Sequence, residues 1–256
     1  MSKLTKADKF VDFSDYGRRF AKPIAIYLSK TIVTPVQVTL LFVVSAFISL
    51  VAIWKGYFFT AAFFIILKSI LDAADGELAR LKKRPSYTGR YLDSVSDIVL
   101  NFLFFMMIAY ITTHNYSLAF IAFLLFQLQG TLYNFYYVIL RNKKENADKT
   151  SRVFENKFPV AFAYEKQSNV NVLFVLYKLF YGVFDCIVYQ LEKSASKVKY
   201  MPKWFMTFVS LYGLGFQLLI MAFFLAFGWK QYIVLFFIIY SLFIPLFIGV
   251  RKIFVS

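Results

Sequence analysis

The chain has 256 residues, of which 60% are hydrophobic and 21% aromatic, with 33 Phe and 18 Tyr. That apolar excess is a membrane composition and not the make-up of a soluble core. The net charge of +15 rests on Lys and Arg kept to the ends and to two connections, which favours anionic headgroups and sets nucleic acid aside. One Cys (Cys186) and one His (His114) exclude a disulfide framework, a zinc site and a Cys/His nucleophile system.

Residues 1–35 form a basic, partly apolar N-terminal segment. Within it, Tyr16 to Leu28 reads as an amphipathic helix on the membrane surface, with Arg18, Arg19 and Lys22 at headgroup level. Thr34-Pro35 breaks the chain, and residues 36–256 make up the membrane domain. Six apolar segments near 36–54, 57–81, 90–112, 117–141, 204–227 and 231–251 are each long enough to cross a hydrocarbon core of about 30 Å. Their connections alternate in charge. The ends, the Arg80–Arg90 turn and the basic connection 142–203 together with Arg141 hold 26 of the 29 Lys and Arg, whereas the alternate turns hold only Lys55 and Lys230. Both termini are therefore expected on the cytoplasmic side of a multi-pass protein of the cell (inner, cytoplasmic) membrane. Residues 172–191 are apolar but carry Lys178 and Asp185, and they are expected to form an interfacial or re-entrant helix. The fold class is all-α: six transmembrane helices preceded by an interfacial one.

Chemistry concentrates between Asp72 and Asp97. Asp72-Ala-Ala-Asp75-Gly76-Glu-Leu-Ala79-Arg80 is followed, eight residues on, by Gly89-Arg-Tyr-Leu-Asp93-Ser-Val-Ser-Asp97. An acid at membrane depth is expensive and marks function by default. At about 100° per residue, Asp72 and Asp75 share one helix face with Ala79, and Gly76 lies beside them. Asp93 and Asp97 lie one turn apart on the next helix, so a hairpin points four carboxylates at a common space. All-oxygen ligands suit Mg²⁺ or Mn²⁺, and two such ions sharing carboxylates serve in-line displacement at phosphorus. The alternative, simple pairing with Lys and Arg, has few partners at that depth: Lys68, Arg80 and Arg90. Lys68, one turn before Asp72, either pairs with Asp72 or binds an anionic acceptor. A polar stripe on the fourth span, Gln127, Thr131, Asn134 and Arg141, either hydrogen-bonds between helices or faces the acceptor.

The spacing Asp, two residues, Asp-Gly, two residues, Ala-Arg, eight residues, Gly, three residues, Asp, three residues, Asp resembles the signature of the CDP-alcohol phosphotransferase family. All eight fixed positions match. The resemblance implies transfer of a phosphatidyl group from a CDP-alcohol, usually CDP-diacylglycerol, to a polar acceptor alcohol, with release of CMP and two divalent ions as cofactors. It implies Asp72, Asp75 and Asp93 as principal metal ligands, and Asp97 as ligand and general base. It further implies Gly76, Ala79 and Gly89 as close-approach positions for the nucleotide, Arg80 and Ser86 as CDP contacts, and a homodimer. The family often has Thr-Pro-Asn before the first span; here Val36 stands in place of that Asn, Thr39 keeps the following Thr, and Gln37 offers a polar group nearby. Inositol phosphate and glycerol phosphate are acceptors within the family that the basic connection and Lys68 favour. The competing readings are an intramembrane cation carrier and an inactive scaffold. The carrier does not need the Asp-Gly-x-x-Ala-Arg element and the chain shows no inverted repeat, while the full acid set argues against decay.

Overall fold

The computed structural model describes residues 8–142, 155, 157–198 and 201–254. Parts of the expected N-terminal segment and of the basic connection 142–203 thus lie outside the described residues. Every regular element among those described is a helix, as expected of an all-α integral membrane protein.

A short 3₁₀ turn (Phe13–Asp15) leads into helix α1 (Arg18–Ser29). The helix buries Ala21 and Ala25 and leaves Phe20, Ile26 and Tyr27 exposed. Small residues on its inner face allow close packing against Ala74 and Leu78. Before α1, Ser14 presses into the gap between Gly213 and Gly215. A Cβ at Gly215 would stand 2.0 Å from the Ser14 carbonyl oxygen, so only glycine admits this approach.

Helix α2 (Pro35–Trp54) begins in a reciprocal cap: the Gln37 amide N–H donates to Thr34 Oγ1 at 3.3 Å, and the Thr34 N–H donates to Gln37 Oε1 at 2.8 Å. Pro35 at the first helical position loses no intrahelical bond. Gly56, at φ 81°, turns the chain into α3 (Phe58–Leu81). Ser45 and Ser49 then donate across the hairpin to the carbonyls of Phe64 and Ala61, each at 2.9 Å. In a hydrocarbon setting such bonds register one helix against the next.

Helix α4 (Tyr87–Ile111) runs antiparallel to α5 (Tyr116–Asn142). Only residues 112–115 separate the two, so α5 folds straight back along α4, and Phe102 and Phe105 pack on Phe123 and Phe126 at 5.5 and 5.3 Å. The first turns of α4 therefore lie level with the last turns of α5, and both acid-bearing helices α3 and α4 meet at this end. An apolar groove lined by Phe47, Val51, Trp54, Leu103 and Tyr110 opens at the opposite end and holds none of the acids.

Helix α6 (Gln167–Leu191) covers 172–191, the segment expected to be interfacial. Length and composition alone class it as a spanning helix, alongside α2, α4, α5 and residues 230–254, with the bent pair α7 (Lys203–Val209) and α8 (Leu214–Ala226) as a sixth. Its contacts describe a different course. Just before its start, Glu165 accepts from the amides of Tyr87 and Thr88 at the head of α4. Further along, Phe174 meets Tyr91 edge-on at 5.5 Å, Tyr177 lies tilted against it at 5.2 Å, and Tyr181 donates to the Ser94 carbonyl at 3.2 Å. Just past its end, Glu192 accepts from the Tyr136 hydroxyl at 2.8 Å and from Arg251. Tyr91 and Tyr136 sit at the same end of the α4–α5 hairpin. A helix of 25 residues, about 37 Å long, thus starts and finishes at one level and lies across the bundle's charged end. The chain closes with α9 (Ile233–Tyr240) and α10 (Phe243–Phe254), where Phe237 packs 5.0 Å from Phe126.

Candidate active site

The acids converge as the helical spacing requires. Single carboxylate oxygens of Asp72, Asp75 and Asp93 lie within 4.8 Å of one another, the first two from α3 and the third from α4. Asp75 is only 8% exposed and accepts a 2.6 Å hydrogen bond from the Thr39 hydroxyl, which fixes its rotamer from α2. Asp93 Oδ1 is buried with no hydrogen-bond partner among the described residues. Three clustered oxygens from carboxylates, one of them orphaned, fit a hard divalent cation well: such an ion satisfies the unpaired oxygen and offsets the mutual repulsion.

Asp97 stands beside this set and not within it. Its carboxylate is hydrogen-bonded to Lys68 Nζ, and Lys68 is fully buried with its ammonium 4.9 Å from the Phe42 ring centre. The sequence expectation of a Lys68–Asp72 pair is corrected: the side chain reaches across to α4 for its hydrogen bond. The partner depends on how α3 and α4 are rotated against each other, which spacing within α3 does not report. Tyr16 and Ser69 border the same region, the Tyr16 hydroxyl facing Ser69, Lys68 and Asp72.

The positions implied as nucleotide contacts gather at the bundle's charged end. Arg80 is held by Glu77 at 3.0 Å, and the same carboxylate takes Arg18 of α1 at 3.1 Å. Glu77 is 3% exposed and was not singled out from the sequence; its i,i+3 relation to Arg80 was the visible signal, whereas Arg18 arrives through tertiary packing alone. Gly76 leaves only the Arg80 guanidinium near its missing side chain, at 3.6 Å, and Ala79 is partly exposed beside it. Gly89 faces Ser86 and, at 3.7 Å, the side chain of Val36, so the residue standing in place of the family's Asn does border the implied nucleotide positions. Gln37 is committed to capping α2 through Thr34.

Ser86 serves first as the N-cap of α4, accepting from the Gly89 amide at 2.8 Å. Its hydroxyl donates to Glu165 Oε1 at 2.7 Å, and Glu165 also accepts from the amides of Thr88 at 2.7 Å and Tyr87 at 3.2 Å. Burial alone would raise the Glu165 pKa, but the bonds from Ser86, Thr88 and Tyr87 outweigh it and hold the carboxyl below its ordinary value. A helix N-terminus favours an anion in the same way. Glu155 binds Arg90 and accepts from the Tyr91 hydroxyl at 2.7 Å. Phe162 and Tyr87 stack at 5.2 Å. The acids of the basic connection thus strap it over the first turn of α4. Neither Glu155 nor Glu165 stood out from the sequence, because nothing in their spacing marks a partner so far away.

On α5, Gln127 and Thr131 are buried with side-chain atoms lacking a partner among the described residues, while Asn134 is exposed. The expected polar stripe is covered by protein only at its deeper part.

Comparison with known proteins agrees with this geometry. The family model of CDP-alcohol phosphatidyltransferases matches residues 32–184, from the start of α2 through most of α6. A bifunctional IPC transferase and DIPP synthase of Thermococcus kodakarensis is 38% identical over 96 residues, covering 36% of this chain. The match spans only 21% of that relative's length. With the family model covering more than half of the sequence, the chain belongs to the CDP-alcohol phosphatidyltransferase family.

Proposed function

We propose that the protein transfers the phosphatidyl group of CDP-diacylglycerol to the hydroxyl of a polar acceptor alcohol and releases CMP. The observation that carries this reading is the gathering of Asp72, Asp75 and Asp93 within 4.8 Å, with Asp97 at its edge. These residues would hold Mg²⁺ or Mn²⁺, two ions by the sequence reading, which when bound would neutralise the diphosphate oxygens and the departing CMP. Phosphoryl transfer asks the protein for positioning and charge more than for covalent chemistry. Thr39 holds Asp75 in place, and Glu77 directs Arg80 toward the donor. Asp97 takes the proton of the acceptor hydroxyl as its oxygen attacks the lipid-side phosphorus and the bond from that phosphorus to CMP breaks. Gly76, Ala79, Ser86 and Gly89 border the nucleotide.

A phosphorylated polyol, inositol phosphate or glycerol phosphate, is the acceptor class that the surrounding positive charge supports. Lys68, bound to Asp97, no longer adds to that argument. The reading also includes insertion in the cell membrane with both termini cytoplasmic, so that CMP leaves into the cytoplasm; a reporter fused after Ser256 should register there, and an external signal would refute the orientation. Homodimerisation rests on family resemblance alone, and crosslinking in membranes tests it. The decisive assay supplies labelled CDP-diacylglycerol and a panel of acceptors to purified protein and identifies the lipid formed. CMP release coupled to one new phospholipid supports the proposal. Absence of CMP release with every acceptor and either metal ion contradicts it.

A further inference from the structure

We propose that Lys68 is a built-in cation of the acid site which competes with a divalent ion for Asp97, so that the protein binds one ion tightly and a second one weakly. The inference rests on the reading that these acids hold divalent ions. It goes further by assigning the distribution of the ions to a residue outside the signature.

Three features support it. Asp72, Asp75 and Asp93 bring three oxygens close enough to share one ion, and Asp97 is not in that group. Asp97 is instead hydrogen-bonded to an ammonium group with no exposure to solvent. Lys68 also has no retreat. It leaves α3 one turn before Asp72, lies over the Phe42 ring of α2, and has Asp72 and Asp93 as its other near charges. A buried ammonium stripped of its carboxylate carries a large desolvation penalty, so an ion that takes Asp97 from Lys68 must work against that penalty. An ion that leaves the pair intact must instead sit beside a positive charge in a low-dielectric interior. Either route weakens the second site more than the first, whose ligands Asp72 and Asp93 feel the Lys68 charge without a hydrogen bond to it. Lys68 is a positioning residue here, acting through Asp97.

The test is Mn²⁺ binding to the detergent-solubilised full chain without substrate, followed by electron paramagnetic resonance. Wild type is expected to bind one Mn²⁺ with an isolated-ion spectrum, and a second at least about tenfold more weakly, a gap of about 1.4 kcal/mol. Lys68→Gln keeps a hydrogen-bond donor but removes the charge; it should tighten the second site by about tenfold and give a spin-coupled spectrum at correspondingly lower Mn²⁺. Lys68→Met should do the same, and Lys68→Arg should restore the wild-type isotherm. Two ions of equal affinity in wild type overturn the proposal without any variant. So does a Lys68→Gln or Lys68→Met isotherm that matches wild type, although metal binding itself would then still stand. Wild-type protein that binds no Mn²⁺ removes both this inference and the metal-dependent reading beneath it.

Discussion

Thr39 donates its hydroxyl to Asp75 across the α2–α3 interface at 2.6 Å, and this bond ties the geometry of the acid site to the first spanning helix. A hydrogen bond to a charged acceptor contributes about 1.5–3 kcal/mol. Thr39→Val keeps the shape and removes the donor. The apparent metal affinity should fall roughly tenfold or more, visible as a shifted Mg²⁺ titration of CMP release. An unchanged titration would show that Asp75 is held by its neighbours without Thr39.

A second relationship sets the position of α6. Glu192 accepts from Arg251 Nε at 2.6 Å and Nη2 at 2.8 Å, and both residues are almost wholly buried. Removing one partner of such a pair costs about 3–5 kcal/mol, because the other charge is left uncompensated. Glu192→Leu and Arg251→Met should each lower the unfolding temperature in detergent markedly. The double variant should recover part of that loss, since it leaves no orphaned charge. Equal destabilisation by single and double variants would contradict this.

The strap over α4 is expected to respond to pH. The Glu165 carboxyl is held below its ordinary value of 4.5 in the folded state. Its bonds therefore contribute fully above the unfolded pKa and are lost as pH falls through the lower, folded one. Amide exchange at Tyr87 and Thr88 should lose protection, beyond the intrinsic pH dependence of exchange, only below pH 4.5. Glu165→Gln should show reduced protection at all pH values and a higher KM for the CDP-lipid with little change in kcat. The same KM in both proteins would separate the strap from the nucleotide site.

The acid site was legible because its information is local. Two carboxylates three residues apart on one helix, and two more four apart on the next, share a face whatever surrounds them. The start of α2 was legible for the same reason, in Thr34-Pro35, whereas α4, capped by Ser86, starts at Tyr87, three residues before the span expected from residue 90. The partner of Lys68 was not legible, because the rotation of α3 against α4 decides between Asp72 and Asp97. The roles of Glu77, Glu155 and Glu165 were hidden for a related reason. Each meets a cation or a helix end brought from elsewhere by packing: Arg18 from α1, Arg90 and the start of α4 from beyond a long connection. The course of α6 sits between these cases. Lys178 and Asp185 signalled that it departs from a simple span, but only the bond of Glu165 to Thr88 before one end and that of Glu192 to Tyr136 beyond the other place both ends at one level.

The central claim is that Asp72, Asp75 and Asp93 hold the divalent ion on which transfer depends. It is tested most directly by stripping the purified protein with chelator and titrating Mg²⁺ or Mn²⁺ back while measuring CMP release, in wild type and in Asp75→Asn and Asp93→Asn. These substitutions keep side-chain size and remove one charge each. Stripped wild type should be inactive and recover with metal, and both variants should lose activity by about 10²-fold or more at every metal concentration. Full activity after thorough chelation, or near-wild-type turnover in either variant, would contradict it.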